Sequence, residues 1–193
     1  TSPTTPTLPG NLLFDLVVTS TNGAALGGTA SGNLSNQPFP RTINGTLTNS
    51  SNAAITVTYT VTPKLSGCAN GAVAVTTVIV EPTPRAVLNN LDAVICQGGN
   101  INIQVTSPTV PSVPANLTFD LVVTSTDDAN LGGSASLDLA GQAFPMTLNG
   151  TLTNVSDADI LVTFTITPKL LGCAVGPDQV TTVTVEPEPQ AVI

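Results

Sequence analysis

The sequence predicts an all-β chain of tandem β-sandwich domains, each of about seven strands. Apolar residues recur at a period of two, the mark of strands buried on one face. Thr and Val, which favour a pleated surface, are abundant, while helix formers are scarce. The chain also repeats itself without a gap at a period of 105 residues, so that Phe14-Asp-Leu-Val-Val-Thr-Ser-Thr returns at Phe119. Asn44-Gly-Thr-Leu-Thr-Asn returns at Asn149, Thr62-Pro-Lys-Leu at Thr167, and Cys68 at Cys173. Residues 1–88 lie on 106–193 with 57 of 88 positions identical, so the period is one whole domain rather than a solenoid turn.

The repeat divides the chain. Residues 1–84 read as a repeat lacking its N-terminal strands, 85–189 as a complete one, and 190–193 as the start of the next, because Gln190-Ala-Val-Ile matches Arg85-Ala-Val-Leu. Both ends read as cut from a longer array, so the lack of a signal peptide says nothing of targeting.

Within the complete repeat the expected strands follow in order. The first lies around Ala93–Cys96, and Gly98-Gly99-Asn100 separates it from the alternation Ile101, Ile103, Val105. The proline stretch Pro108–Pro114 precedes Phe119, Leu121 and Val123, and a further strand is expected through Leu131–Leu139. Met146, Leu148 and Leu152 share a face, with Gly150 filling the gap between the last two. Asn149-Gly150 is by itself a hairpin signal, but the alternation runs across it, which places it inside a strand. Ile160, Val162, Phe164 and Ile166 form the clearest face, after a turn at Ser156–Asp159. Gly172–Pro177 is a loop before the closing strand with Val183 and Val185. Seven strands in such a length match an immunoglobulin-like sandwich. Val-Glu-Pro-x-Pro then joins one repeat to the next as a short, semi-rigid link.

Composition narrows the function. Charged residues make up 8% of the chain, against roughly 25% in ordinary soluble domains. Disorder is a poor reading, since 41% of residues are hydrophobic and alternate. No apolar run approaches the roughly 18 residues of a membrane span. The net charge is −8, and only Arg41, Lys64, Arg85 and Lys169 are positive. That opposes binding to nucleic acid or an anionic membrane, both of which want basic patches.

Neither histidine nor tryptophan occurs. Ser-His-Asp and Cys-His sites, histidine–zinc sites and tryptophan sugar platforms are thereby removed. The expectation is a non-enzyme with no catalytic, cofactor-binding or metal-ligating residue and no cofactor. Carboxylates cluster locally at Asp127-Asp128 and Asp157-x-Asp159, whose counterparts are Asn22-Gly23 and Asn52-x-Ala54. Solvated turns explain them better than a calcium site, which needs several oxygens converging from a defined loop. Asp15 and Asp120 persist in both copies, each between inward Phe and Leu, and read as outward-facing or edge carboxylates. Asn-x-Ser/Thr sequons at Asn33, Asn44, Asn49, Asn116, Asn149 and Asn154 are expected by chance in a chain this rich in Asn and Thr.

Three cysteines reduce to two positions per repeat. Cys68 and Cys173 are equivalent, while Cys96 lies in the segment the first copy lacks. The expected disulfide is Cys96–Cys173, with Cys68 pairing outside the fragment; the competing pair is Cys68–Cys96. Such bonds imply an oxidising compartment. Closing the 77-residue loop is worth about 4 kcal/mol in the chain-entropy picture. It would also hold the extension of a pulled repeat to about 90 Å rather than about 360 Å.

The runs Leu148-Asn-Gly-Thr-Leu-Thr-Asn, Val162-Thr-Phe-Thr-Ile-Thr-Pro, Gly172-Cys173 and Val183-Thr-Val-Glu-Pro-Glu-Pro carry a resemblance, as does Val57-Thr-Tyr-Thr-Val-Thr-Pro-Lys-Leu-Ser-Gly-Cys68. They resemble the PKD-like/immunoglobulin-like repeats of giant Bacteroidota cell-surface adhesins, of which the gliding-motility adhesins exported by type IX secretion are best known. Ala93-Val-Ile-Cys96-Gln-Gly matches the early cysteine segment of such repeats. The resemblance implies an extracellular, outer-membrane-attached filament that gives reach, stiffness and force resistance for attachment or gliding. The expected partners are neighbouring repeats, laterally associated copies, and an extracellular surface or polysaccharide. Spacer domains of a secreted enzyme and a subunit of a cell-envelope sheath are the rival readings.

Overall fold

The alternating runs of the sequence become paired strands. The computed structural model describes residues 1–7 and 9–191, and the chain falls into two units, Thr1–Pro82 and Thr83–Ile193. Val192 and Ile193, the last two residues of the expected next repeat at 190–193, lie outside the described residues. Among the described residues no helix is long and apolar enough to cross a membrane.

In the first unit the strands are β1 (Leu12–Ser20), β2 (Leu26–Gly27), β3 (Leu34–Pro38), β4 (Thr48–Asn49), β5 (Ile55–Leu65) and β6 (Ala74–Val80). They form an antiparallel sheet in the order β3-β1-β5-β6, with β2 paired to β4. In the second unit they are β7 (Val87–Asn90), β8 (Val94–Cys96), β9 (Asn100–Thr106), β10 (Leu117–Ser125) and β11 (Leu131–Gly132). These are followed by β12 (Leu139–Ala143), β13 (Met146–Thr151), β14 (Thr153–Asn154), β15 (Ile160–Leu170) and β16 (Gln179–Glu186). One sheet runs β12-β10-β15-β16-β8, a second runs β13-β9-β7, and β11 pairs with β14. Only the β16–β8 pairing is parallel among those described.

The second unit is therefore a β-sandwich of the immunoglobulin-like kind. Its core takes Phe119, Leu121, Val162, Phe164 and Val183 from the larger sheet and Ile101, Ile103, Val105 and Leu148 from the smaller. Full burial of each such side chain stabilises by about 1.5–3 kcal/mol. Phe119 and Phe144 stack tilted with ring centroids 4.9 Å apart, as do Phe14 and Phe39 in the first unit. Asn149-Gly150 lies inside β13, where Gly150 faces Ile101.

The strand expected through Leu131–Leu139 is not there. It is replaced by the two-residue β11, a turn, and β12 starting at Leu139. Gly133 makes that turn at φ +103°, and a Cβ there would sit 2.2 Å from the Thr151 carbonyl oxygen. The close backbone crossing ends the strand. The first strand of the second unit, Val87–Asn90, was not expected either: it is short and half exposed, with no apolar face to announce it.

The chain comes into the second unit at one end of the sandwich and leaves at the other. The Arg85 amide donates to Thr109 Oγ1 at 2.9 Å, and Ser107 Oγ donates to the Arg85 carbonyl at 2.5 Å. Pro84 lies against Gly176, just beyond the Leu170 end of β15. β16 runs out at Glu186, past the Ile160 end.

Candidate functional site

The acidic pairs satisfy their own turns. Asp128 Oδ1 accepts the Ser125 amide at 3.1 Å and its hydroxyl at 2.6 Å. Asp127 Oδ2 accepts Asn130 Nδ2 at 2.7 Å, and Asp157 Oδ1 accepts Gln190 Nε2 at 3.2 Å. Among the described residues no three His, Cys, Asp or Glu side chains come together as a metal site would require.

Asp15 and Asp120 do more than face outward. The register of β10 against β12 shifts between Phe119 and Leu121, at the position of Asp120. A bulge leaves an unpaired amide there, and Asp120 Oδ1 accepts it from Gly141 at 2.9 Å. Its other oxygen pairs with Lys169 on β15. Asp15 does the same for the Asn36 amide at 2.9 Å and for Lys64. The residue at the bulge needs the left-handed region, held by Gly141 at φ 64° and Asn36 at φ 52°. The lysine hydrogen bond first, and the backbone amide second, hold both carboxyls below the usual carboxylate range.

The fold does not bring the expected pair Cys96 and Cys173 together; in this structure Cys68, Cys96 and Cys173 are exposed and unbonded. Topology gives the reason. Parallel pairing places Cys96 beside Glu186, at the outgoing end of the sandwich. Cys173 follows Leu170, in the turn at the incoming end. The eleven residues of β15 separate those ends, about 33 Å at roughly 3.3 Å per residue. A disulfide needs Cα atoms within about 7 Å.

Two of the sequon asparagines, Asn49 and Asn154, have a structural role. Asn154 is 1% exposed. Its Nδ2 donates to the carbonyls of Ala158 and Val185, both at 2.8 Å. Its Oδ1 accepts the Ser156 amide at 2.9 Å and hydroxyl at 2.7 Å. One side chain thus ties the turn before β15 to the final strand. Asn49 repeats the arrangement with Ala53, Val80 and Ser51. The signal was present: both copies keep Asn-x-Ser-x-Ala while the intervening residues change.

A cavity also recurs. In the second unit about 300 Å³ is lined by Thr106, Ser107, Pro111, Leu117, Phe144 and Pro145 among others. In the first, about 370 Å³ is lined by the equivalent Thr1, Ser2, Pro6, Leu12, Phe39 and Pro40. Neither lining carries a charged side chain; each offers hydroxyls beside an aromatic ring and prolines. The volumes fall at the lower end of small-ligand sites.

Residues 14–84 match the PKD-like domain family. The match begins at β1 and ends after β6, and its counterpart by the internal repeat is 119–189. A search of the curated proteins found no match. Among solved structures, the S-layer protein rSbsC(31-844) aligns over 96% of this chain at 14% identity with a TM-score of 0.34. Domains 4 and 5 of the S-layer protein SbsC align over 89% of this chain and 75% of theirs, at 15% identity and a TM-score of 0.30. The chain spans 21% of the length of the first of these.

Proposed function

We propose that this chain is a stretch of the shaft of a long filamentous cell-surface adhesin, a non-enzymatic structural repeat whose work is reach, stiffness and resistance to force. The observation that carries the reading is the pairing of a 105-residue repeat with a sandwich whose chain comes in at one end and leaves at the other. That path is what end-to-end stacking of identical domains requires. A PKD-like match across one repeat supports a structural module.

Adhesion follows from multiplicity. The uncharged cavity beside Phe39 returns beside Phe144, so a long array would carry one per repeat. Weak contacts to an extracellular polysaccharide multiply along a rod when many engage together. The resemblance to gliding-motility adhesins extends the proposal to an extracellular filament attached to an outer membrane and exported by type IX secretion, with neighbouring repeats and lateral copies as partners.

Electron microscopy of the intact native protein, on cells and after gentle release, tests it. Thin surface-attached fibres with one bead per repeat are expected. A compact body carrying a short beaded tail would overturn it and make these domains spacers.

A further inference from the structure

The two cysteine positions of the repeat stand at its opposite ends. Cys96 closes β8 beside Glu186, where the chain leaves the second unit. Cys173 lies in the turn after β15, where the chain comes in, and Cys68 holds the same place after β5 in the first unit. All three are exposed. Each has a glycine of positive φ one or two residues away: Gly67 at +78°, Gly98 at +73° and Gly172 at +81°. A Cβ on any of these glycines would meet nothing within 4 Å, so a second backbone has room to approach each thiol.

Charge divides along the same axis. All four cations of the chain gather at incoming ends. Lys169 is the last residue but one of β15, and the Arg85 amide bonds Thr109 where the chain comes in. In the first unit Lys64 is the last residue but one of β5. Arg41 donates to Gln37, which pairs with Phe14, itself opposite Pro63 at the same end. The carboxylates at these ends have partners: Lys169 holds Asp120, Lys64 holds Asp15, and the Thr167 hydroxyl donates to Asp178. The outgoing end of the second unit is acidic instead. Asp127 and Asp128 follow the Ser125 end of β10, Asp157 and Asp159 precede Ile160, and Glu186 closes β16. Among the described residues no lysine or arginine accompanies these five carboxylates.

We propose that the outgoing end of this repeat docks on the incoming end of a further copy, and that Cys96 forms a disulfide there with the cysteine of the incoming turn, the position held by Cys173 and Cys68. The inference rests on reading the chain as part of an end-to-end array. Within one unit the length of β15 keeps the two thiols apart. Head-to-tail docking sets an outgoing thiol against an incoming one. The charges favour that orientation, because carboxylates then face lysine and arginine, whereas two outgoing ends would repel each other. A contact with different surfaces on its two sides extends from copy to copy.

The bond needs an oxidant, here a disulfide in the compartment where the array assembles. The thiolate of one cysteine attacks it, releases one thiol and is left in a mixed disulfide. The thiolate of the second cysteine then displaces the other thiol and closes the Sγ–Sγ bond. Two electrons and the two thiol protons pass to the oxidant, which leaves as two thiols.

The test uses the full 193-residue chain, reduced, freed of reductant and then given oxidised glutathione. A ladder of covalent oligomers is expected on non-reducing gels, with Cys96 linked to Cys68 or Cys173 by mass spectrometry of the digest. Cys96→Ser should cut the ladder about tenfold, the thiol being one of the two that each joint needs. Raising the salt to about 1 M, where screening acts within about 3 Å, should slow crosslinking about tenfold. Asp157→Asn combined with Asp159→Asn should slow it about threefold at low salt. Cys96 joined mainly to Cys96, all pairings in equal yield, a full ladder from Cys96→Ser, or no ladder would each overturn the proposal. Thin fibres of the native protein seen beside any of those four results would leave the shaft standing and remove only its covalent joints.

Discussion

The Gly141 amide donates to Asp120 Oδ1 at 2.9 Å, across the bulge where β12 slips against β10, while Lys169 holds the other carboxylate oxygen. The arrangement recurs at Asp15, Asn36 and Lys64. Asp120→Ala should therefore lower the stability of the second unit by about 1 kcal/mol, a figure kept small because the ion pair is solvent-screened. Asp120→Asn leaves an acceptor for the amide and should cost less. Urea unfolding of the variants distinguishes the two, and equal stability of Asp120→Ala and the native chain would sink the assignment.

The same carboxylate sets a pH response. Its folded pKa lies below the ordinary 3.8, chiefly through Lys169 and then the Gly141 amide. The unfolded chain thus binds the proton more readily than the folded one. The stabilisation is fully present above about pH 5 and is lost as pH falls through 3.8 and below the folded value. Thermal melts from pH 6 to pH 2 should show a drop that is shallower in the double variant Asp15→Asn, Asp120→Asn. Parallel curves for the native and doubly substituted chains would show that other groups carry the effect.

Asn154 uses four hydrogen-bonding positions in a buried site. Asn154→Ala strands two carbonyls and a serine, and should cost about 3 kcal/mol in unfolding free energy. Asn154→Asp should cost more at neutral pH, because a carboxylate has no donor for the Ala158 and Val185 carbonyls. Were Asn154→Asp milder than Asn154→Ala in denaturant titrations, the hydrogen bonds would be misassigned. The same burial makes Asn154 a poor glycan acceptor despite its sequon.

How much of this was legible in the sequence depends on the range of each interaction. The alternation of Ile160 to Ile166 needs no partner to be read, and β15 lies where it points. β12 is different: Leu-Ala-Gly-Gln-Ala has little strand propensity, and it pairs because β10 offers an edge and Asp120 satisfies its bulge. Asp120 itself was legible as a persistent carboxylate on a strand, but its partners sit 21 and 49 positions away. Cysteine spacing counted two positions per repeat without saying which end of the sheet each occupies. That depended on the parallel pairing of β8 with β16, a feature with no local signature.

Gly176 fixes where the chain comes into the second unit. A Cβ there would meet the Pro84 carbonyl oxygen at 1.8 Å. Gly176→Ala should cost about 1–3 kcal/mol through displacement of that segment. The unfolding midpoint of the variant should fall below that of the native chain, and coincident curves would remove Pro84 from the seat assigned to it.

The separation of Cys96 from Cys173 has a mechanical consequence. With no covalent loop inside the second unit, all of its strands are free to extend once the sandwich breaks. Single-molecule pulling should give a step approaching the length of a whole repeat, about 360 Å before subtracting the folded length, with or without reductant. Alkylation of the unreduced chain should add three labels, since all three thiols are exposed. A step near 90 Å that lengthens on adding reductant, together with a single label, would mean that the thiols are bonded and that β8 does not run beside β16. Since β8 caps the edge of the larger sheet, Cys96→Ser should leave both step length and unfolding midpoint unchanged, which separates a structural thiol from a bonded one.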